Sequence, residues 1–128
     1  MGQKKWMTIT GWVIAGLLGA LVCMGVIYGI CRPDEMAKDL TDKYGYPRNT
    51  LTPILIAEVC SMALFLIPKT SVLGAILMTG YLGGATATHV RVHDVFVMPV
   101  VVGIMVWVSL YLRDPRIRAL MPLRSAVQ

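Results

Sequence analysis

Glu58 is the one carboxylate inside an apolar run, near the middle of Leu51 to Ile67. A charge at that depth in hydrocarbon costs at least about 2.5 kcal/mol, so this side chain is expected to face a bundle interior, protonated or paired. It suits a proton carrier or a polar anchor for a small ligand such as a quinone headgroup. A structural hydrogen bond to a neighbouring helix, through Thr86 or Tyr81, is the alternative. The second group lies in GYLGGATATHVRVHD, residues 80–94. Tyr81, Ala85, Thr88 and His89 share a face at helical spacing, which would aim a phenol and an imidazole inward. Arg91 and Asp94 follow within one turn and are spaced to pair with each other.

A metal is the other chemistry to weigh. If the helix continued, His89 and His93 would stand at i, i+4, with Asp94 within reach of the same ion. Two histidines fall short of the three or four ligands that a site normally uses. Imidazoles bonded to backbone carbonyls explain the same pattern, so no metal is assigned and His89, His93 and Asp94 stand as weak ligands only. Nothing else forms a catalytic set: there is no Ser-His-Asp arrangement, phosphate loop or haem-attachment motif.

These residues need elements to hold them, and the composition says which. Of 128 residues, 56% are hydrophobic and only 15% charged, against about 25% charged in soluble domains. That balance marks an integral membrane protein, with the whole chain, 1–128, as one domain. The net charge of +5 does not point to nucleic acid. Lys4, Lys5, Lys69, Arg113, Arg116, Arg118 and Arg124 sit at the ends of apolar runs, where cations meet lipid headgroups.

Four apolar runs read as membrane spans at about 6–31, 51–67, 71–89 and 95–112. The first follows Lys4-Lys5 but is longer than a signal-peptide core. Pro53 suits a first helical turn, the PKT link forces an antiparallel hairpin, and Pro99 is placed to bend the fourth run. Four crossings put both termini on one side. The seven cations above lie on that side and Arg32, Lys38, Lys43, Arg48 and Arg91 on the other, which favours cytoplasmic termini. Between the first two spans, Met36, Leu40 and Tyr44 recur at i, i+4, i+8 with charges between them. That spacing predicts a short amphipathic helix on the membrane surface or capping the bundle.

Small residues recur every four positions in the first run, as Gly11, Ala15 and Gly19, then Gly25 and Gly29. The third run repeats this with Ala75, Thr79, Gly83 and Ala87, flanked by Gly80 and Gly84. Such stripes let helices approach closely where lipid supplies no hydrophobic drive, so they should hold the bundle together or serve a homodimer. Cys23, Cys31 and Cys60 form no C-x-x-C pair and read as buried, inert thiols.

Three segments carry a resemblance: YGYPRNTLTPILIAEVCSMALFLIP, LGAILMTGYLGGATATHVRVHD and LYLRDPRIRALMPLR. Together they resemble the small four-helix membrane proteins called DoxX-like, in the family's order over nearly the whole chain. The resemblance implies an all-α four-helix bundle in the bacterial inner membrane. The wider family takes its name from a subunit of a thiosulfate:quinone oxidoreductase, and related four-helix families include assembly helpers for other membrane proteins. Carried over by position, the pocket residues are Glu58, Tyr81, Thr86, His89 and Arg91. The family pattern has glycine where this chain has His93, which weakens a role for that side chain.

Two functions follow as expectations. One is a non-catalytic accessory or structural subunit of a larger membrane complex, its partners being the bilayer and either other membrane subunits or a second copy. The other is a quinone-linked redox component, with quinone as its cofactor and Glu58 and His89 at the headgroup. A transporter is a poor match, because four helices show no internal repeat.

Overall fold

The computed structural model describes residues 4–123, and within them the chain is entirely helical apart from short turns. Arg124, counted above among the terminal cations, lies outside the described residues. The helices are Lys5–Cys31 (α1), Pro33–Asp42 (α2), Leu51–Leu66 (α3), Ser71–Arg91 (α4), Val97–Arg113 (α5) and Pro115–Leu120 (α6), with a single 3-10 turn at Arg48–Thr50.

Prolines set most of the boundaries. Pro33 and Pro115 occupy the first turns of α2 and α6, where their fixed φ is already helical and no backbone bond is lost. Ile67, before Pro68, is extended (φ −81°, ψ 120°) and ends α3, as the clash with a following proline requires. The fourth apolar helix starts at Val97 rather than 95. Pro99 therefore lies in the first turn, where its missing N–H leaves no internal bond unmade, so the expected bend has no cause.

The hairpin from α3 to α4 is tight because of Gly74. A methyl at that position would stand 2.5 Å from the Leu64 carbonyl carbon, and closer still to the backbone of Phe65. Only a glycine lets the two backbones pass so closely. From this corner the helices pack in a ring, α3 on α4, α4 on α5, α5 on α1 and α1 on α3. The ring encloses Ala15, Leu18, Val22, Met62, Phe65, Met78, Val106 and Leu110.

The outside of the ring is as apolar as the inside. Ile9, Leu17, Met24, Ile76 and Ile104 are all exposed, far more than a soluble protein of this size tolerates. Three segments, Lys5–Cys31, Arg48–Leu66 and Ser71–Arg91, are long and apolar enough to cross a membrane. Helix α5 is apolar but has 17 residues, about 25 Å of rise, at the lower limit for a span. Cys23, Cys31 and Cys60 are free and exposed on these outer surfaces, a correction to the expectation of buried thiols. They fall off the stripes that face the core.

The small-residue stripes divide. A methyl at Gly11 would meet the Ser109 carbonyl oxygen at 2.8 Å, one at Gly19 would meet Leu66 at 3.3 Å, and one at Gly29 would meet Met36 Sδ at 2.8 Å. Ala15 is fully buried. These positions set helix spacing. Gly25, Gly80, Gly83 and Gly84 have nothing within 4 Å of an ideal Cβ, and Thr79 and Ala87 are exposed. Of the α4 stripe, Ala75 is fully buried in the core, and with Gly74 and Met78 it lies on the buried side of α4. Gly83 and Ala87 look outward, whereas Gly80 and Gly84 border a cavity.

Candidate functional site

Helix α2 is the element that builds the site. Its outer positions Asp34, Glu35, Lys38, Asp39 and Asp42 are exposed, while Met36, Ala37 and Leu40 turn inward. Gly45, at φ +74°, closes the helix, with Tyr46 N–H donating to the Leu40 carbonyl at 3.0 Å. This turn swings Lys43, Tyr44 and Tyr46 over the end of α4.

Helix α4 ends in a matching way. His93 has φ +57°, its N–H donates to Val90 O at 3.1 Å, and Asp94 N–H donates to His89 O at 2.9 Å. That pair of bonds is a Schellman ending, whose left-handed residue is ordinarily glycine. His93 is therefore the residue that turns the chain, exposed and off the helix. The i, i+4 register with His89 does not exist, and among the described residues no three His, Cys, Asp or Glu side chains cluster as metal ligands.

The same turn folds Asp94 back beneath His89. Asp94 Oδ2 lies 2.7 Å from Lys43 Nζ and accepts from the Tyr44 hydroxyl at 3.2 Å. The expected Arg91–Asp94 pair does not form. Arg91 instead donates from Nη2 to the Tyr44 carbonyl and stacks over the Tyr46 ring, 5.5 Å from its centroid. The Lys43 ammonium, with the Val95 N–H as a second donor, holds the Asp94 carboxyl well below its usual range, at about 2. Tyr46 and Thr88 complete the seam with hydroxyls 2.8 Å apart.

Beneath this polar seam lies a cavity of about 410 Å³ between α2, α3 and α4. Met36, Leu40 and Ile54 form its apolar wall, Gly80 and Gly84 leave its floor open, and Tyr44, Tyr46, Thr88 and His89 line its polar end. Tyr81 lines the same space, and Glu58 on α3 is close enough for its carboxyl to act on the phenol. Both side chains are half-buried. Of the sequence-predicted set, Tyr81 and His89 line this cavity, Glu58 lies beside Tyr81 but outside the lining, and Arg91 holds the turn that follows α2. Thr86 does not join them. Its hydroxyl bonds back to Leu82 O at 2.8 Å, and it lines a groove on the far side of α4 because five residues turn the helix by more than a third of a circle.

The hydrogen bonds at His89 hold its ring between α4 and the α2 turn. Nδ1 lies 2.7 Å from the Ala85 carbonyl, which can only accept, and Nε2 lies 3.4 Å from the Tyr44 hydroxyl. A neutral ring with its proton on Nδ1 accepts from Tyr44 at Nε2. A protonated ring donates to Tyr44 instead, and the phenol is then free to donate to Asp94. Tyr44 and Tyr46, which the residue reading did not place in the site, are its main addition. The only sequence signal for them was the i+8 position of Tyr44 on the amphipathic stripe.

The far side of α4 carries a second concavity, of about 700 Å³, along α5. Thr79, Gly83, Thr86, Gly103, Trp107 and Tyr111 line it, and Trp107 Nε1 donates to Thr79 Oγ1 at 2.8 Å.

A family model described as the DoxX-like family matches residues 8–109. No curated protein and no solved structure matches the chain.

Proposed function

The chain belongs to the DoxX-like family, and from that premise we propose a small four-crossing protein of the bacterial inner membrane, both termini cytoplasmic. It serves as a non-catalytic accessory subunit of a larger membrane assembly. The observation that carries this reading is the outward stripe on α4. Gly83 and Ala87 are exposed, and Gly83 has open space above it. Small residues facing lipid do nothing for the protomer, whereas they let another helix approach closely. The groove beside Gly83 and Trp107 widens that surface. Gly83→Leu would fill the space without touching this chain. The expected result is loss of co-purifying membrane proteins from native membranes with an unchanged melting temperature. A solitary, monodisperse protein before and after substitution rejects the accessory role.

A second reading is favoured by the α2–α4 cavity: a quinone-linked component whose headgroup lies against Tyr44, Tyr81 and His89. The apolar wall suits a lipid-soluble ring, and His89 and Tyr81, the latter backed by Glu58, supply polar groups at its edge. Lipid extraction followed by mass spectrometry is the direct test. No bound quinone, together with unchanged membrane redox activity in a Glu58→Gln, His89→Ala variant, rejects it.

A further inference from the structure

At the opposite end of the bundle, Arg113 is not the headgroup-facing cation that its place in the sequence suggests. Its side chain is 8% exposed. The guanidinium lies 4.3 Å from the centroid of the Trp12 ring and 4.5 Å from that of Phe65, and Nη2 donates to the Phe65 carbonyl at 2.7 Å. Nε and Nη1 are buried and have no hydrogen-bond partner. A buried charged donor without a partner is among the costlier defects in a fold. Stacking on two rings offsets part of the charge's desolvation, but it satisfies neither N–H.

Arg113 also lines a cavity of about 290 Å³ with Trp12, Pro68, Ser71, Asp114 and Arg116. Ser71 is the first residue of α4, a helix of 21 residues. No side chain caps that helix: the Thr70 hydroxyl turns back to Leu64 O at 2.8 Å, and the Ser71 hydroxyl to Pro68 O at 3.1 Å. The first N–H groups of α4 and the positive end of its dipole are left toward the cavity. Asp114, the one acid in the lining, already accepts from Arg116 through N at 2.9 Å, Nε at 3.1 Å and Nη2 at 3.0 Å. Lys69 and Arg118 stand on the same end of the molecule and add to its positive field.

We propose that this cavity is a binding site for a phosphate-class oxyanion, held by Arg113 Nε and Nη1 and by the N-terminus of α4, with Arg116 at the mouth. The site is distinct from the α2–α4 cavity, and neither depends on the other. The tetrahedral anion has two sources, the phosphodiester of an anionic lipid at headgroup depth or free phosphate from the aqueous side. Trp12, 39% exposed, stacks on the guanidinium and lines the cavity, so an anion reaching the two donors changes the surroundings of its ring. That makes it a reporter.

The test uses the full chain in phosphate-free maltoside detergent and in nanodiscs. Trp12 fluorescence is followed in a Trp6→Phe, Trp107→Phe background. Inorganic phosphate is titrated in detergent, and nanodiscs of phosphatidylcholine are compared with discs containing phosphatidylglycerol. A saturable change with phosphatidylglycerol alone assigns the lipid headgroup, and one with phosphate in detergent assigns the free anion. Arg113→Lys, which keeps the charge but loses the planar donor pair, should weaken binding about tenfold. Asp114→Asn, which removes the competing negative charge, should strengthen it. Binding should persist at high salt, because a buried pair is screened less than the exposed lysines. No saturable response to either probe overturns the proposal. So does a response equal in Arg113→Lys, or one abolished by Asp114→Asn, which would show that the ligand does not compete with the Asp114 carboxylate. Should Arg113→Lys fail to fold, Asp114→Asn and the salt series decide by themselves.

Discussion

Gly74 and Gly83 sit on one helix nine residues apart, and replacing each by alanine should shift stability in opposite directions. At Gly74 the added carbon would stand 2.5 Å from the Leu64 carbonyl carbon, against 3.4 Å for ordinary contact. The α3–α4 hairpin must open by at least about 0.9 Å, and the obstructing atoms are backbone that cannot rotate away. Inserting atoms into a packed interface costs about 1–3 kcal/mol, and the rigidity of the obstruction places this case at the upper end. Alanine's better helix propensity returns under about 1 kcal/mol, for a net loss of about 2 kcal/mol. At Gly83 the new methyl meets nothing, so only the propensity gain remains, about 0.5–1 kcal/mol. Thermal unfolding followed by circular dichroism in detergent measures the pair. The expected separation between the two melting temperatures is on the order of 10 °C, with Gly74→Ala below the parent and Gly83→Ala at or above it. Equal melting of Gly74→Ala and the parent would refute the claim that the hairpin is held by backbone proximity. A destabilised Gly83→Ala would refute the outward orientation of the α4 stripe.

The seam between α2 and α4 should be acid-sensitive. The Asp94 carboxyl is depressed from its usual value of 3.8 to about 2, so it stabilises the docked turn above pH 3.8, and that contribution disappears as pH falls through about 2. Asp94→Asn should abolish this dependence and raise hydrogen exchange in residues 43–46 at neutral pH, while exchange in the α3–α4 hairpin stays unchanged. Trp107→Phe deletes the Nε1 donor to Thr79 and should lower stability by about 1 kcal/mol. Thr79→Val combined with it should add nothing further, and an additive double variant would show that the two residues do not act as a pair. Ser109→Ala removes a buried donor, 2.7 Å from the Gly11 carbonyl, and should cost about 1 kcal/mol, the net worth of one bond, because that carbonyl keeps its partner within α1.

Apolar runs and prolines made most of the fold legible in the sequence. The boundaries at Cys31, Pro33, Leu51 and Ser71 follow directly from where hydrophobicity stops and where a proline can sit. The amphipathic helix was equally plain, since three apolar side chains at i, i+4, i+8 among charges have few other uses. What could not be read was direction. A four-residue stripe of small residues says that a helix has a smooth face but not whether the face turns to its own bundle or away from it. In α1 the stripe is internal at Gly11, Ala15, Gly19 and Gly29. In α4 only Ala75 of the stripe packs in the core, beside the close approach at Gly74, while Gly83 and Ala87 look outward.

The polar cluster shows the same limit more sharply. Glu58 and Tyr81 are 23 residues apart but one hairpin apart in space, so their pairing follows once α3 and α4 are known to be antiparallel neighbours. Lys43 and Asp94 are joined by no such short connection, and charge alone favoured Arg91 as the partner of Asp94. The deciding fact is the backbone at His93. A chain that leaves α4 through a left-handed residue must reverse direction there, which tucks Asp94 under His89 and carries it to the side where α2 ends. The positive φ found here has a physical reading: the turn needs a residue that tolerates φ near +57°, whatever its side chain. His93→Gly should therefore keep the Lys43–Asp94 pair and the docked seam intact and raise stability by up to about 1 kcal/mol, since it relieves the left-handed cost of a side chain. A side chain with a chemical role would show the reverse, a loss of function on replacement by glycine, and it is this substitution, rather than alanine, that separates the histidine's backbone from its imidazole.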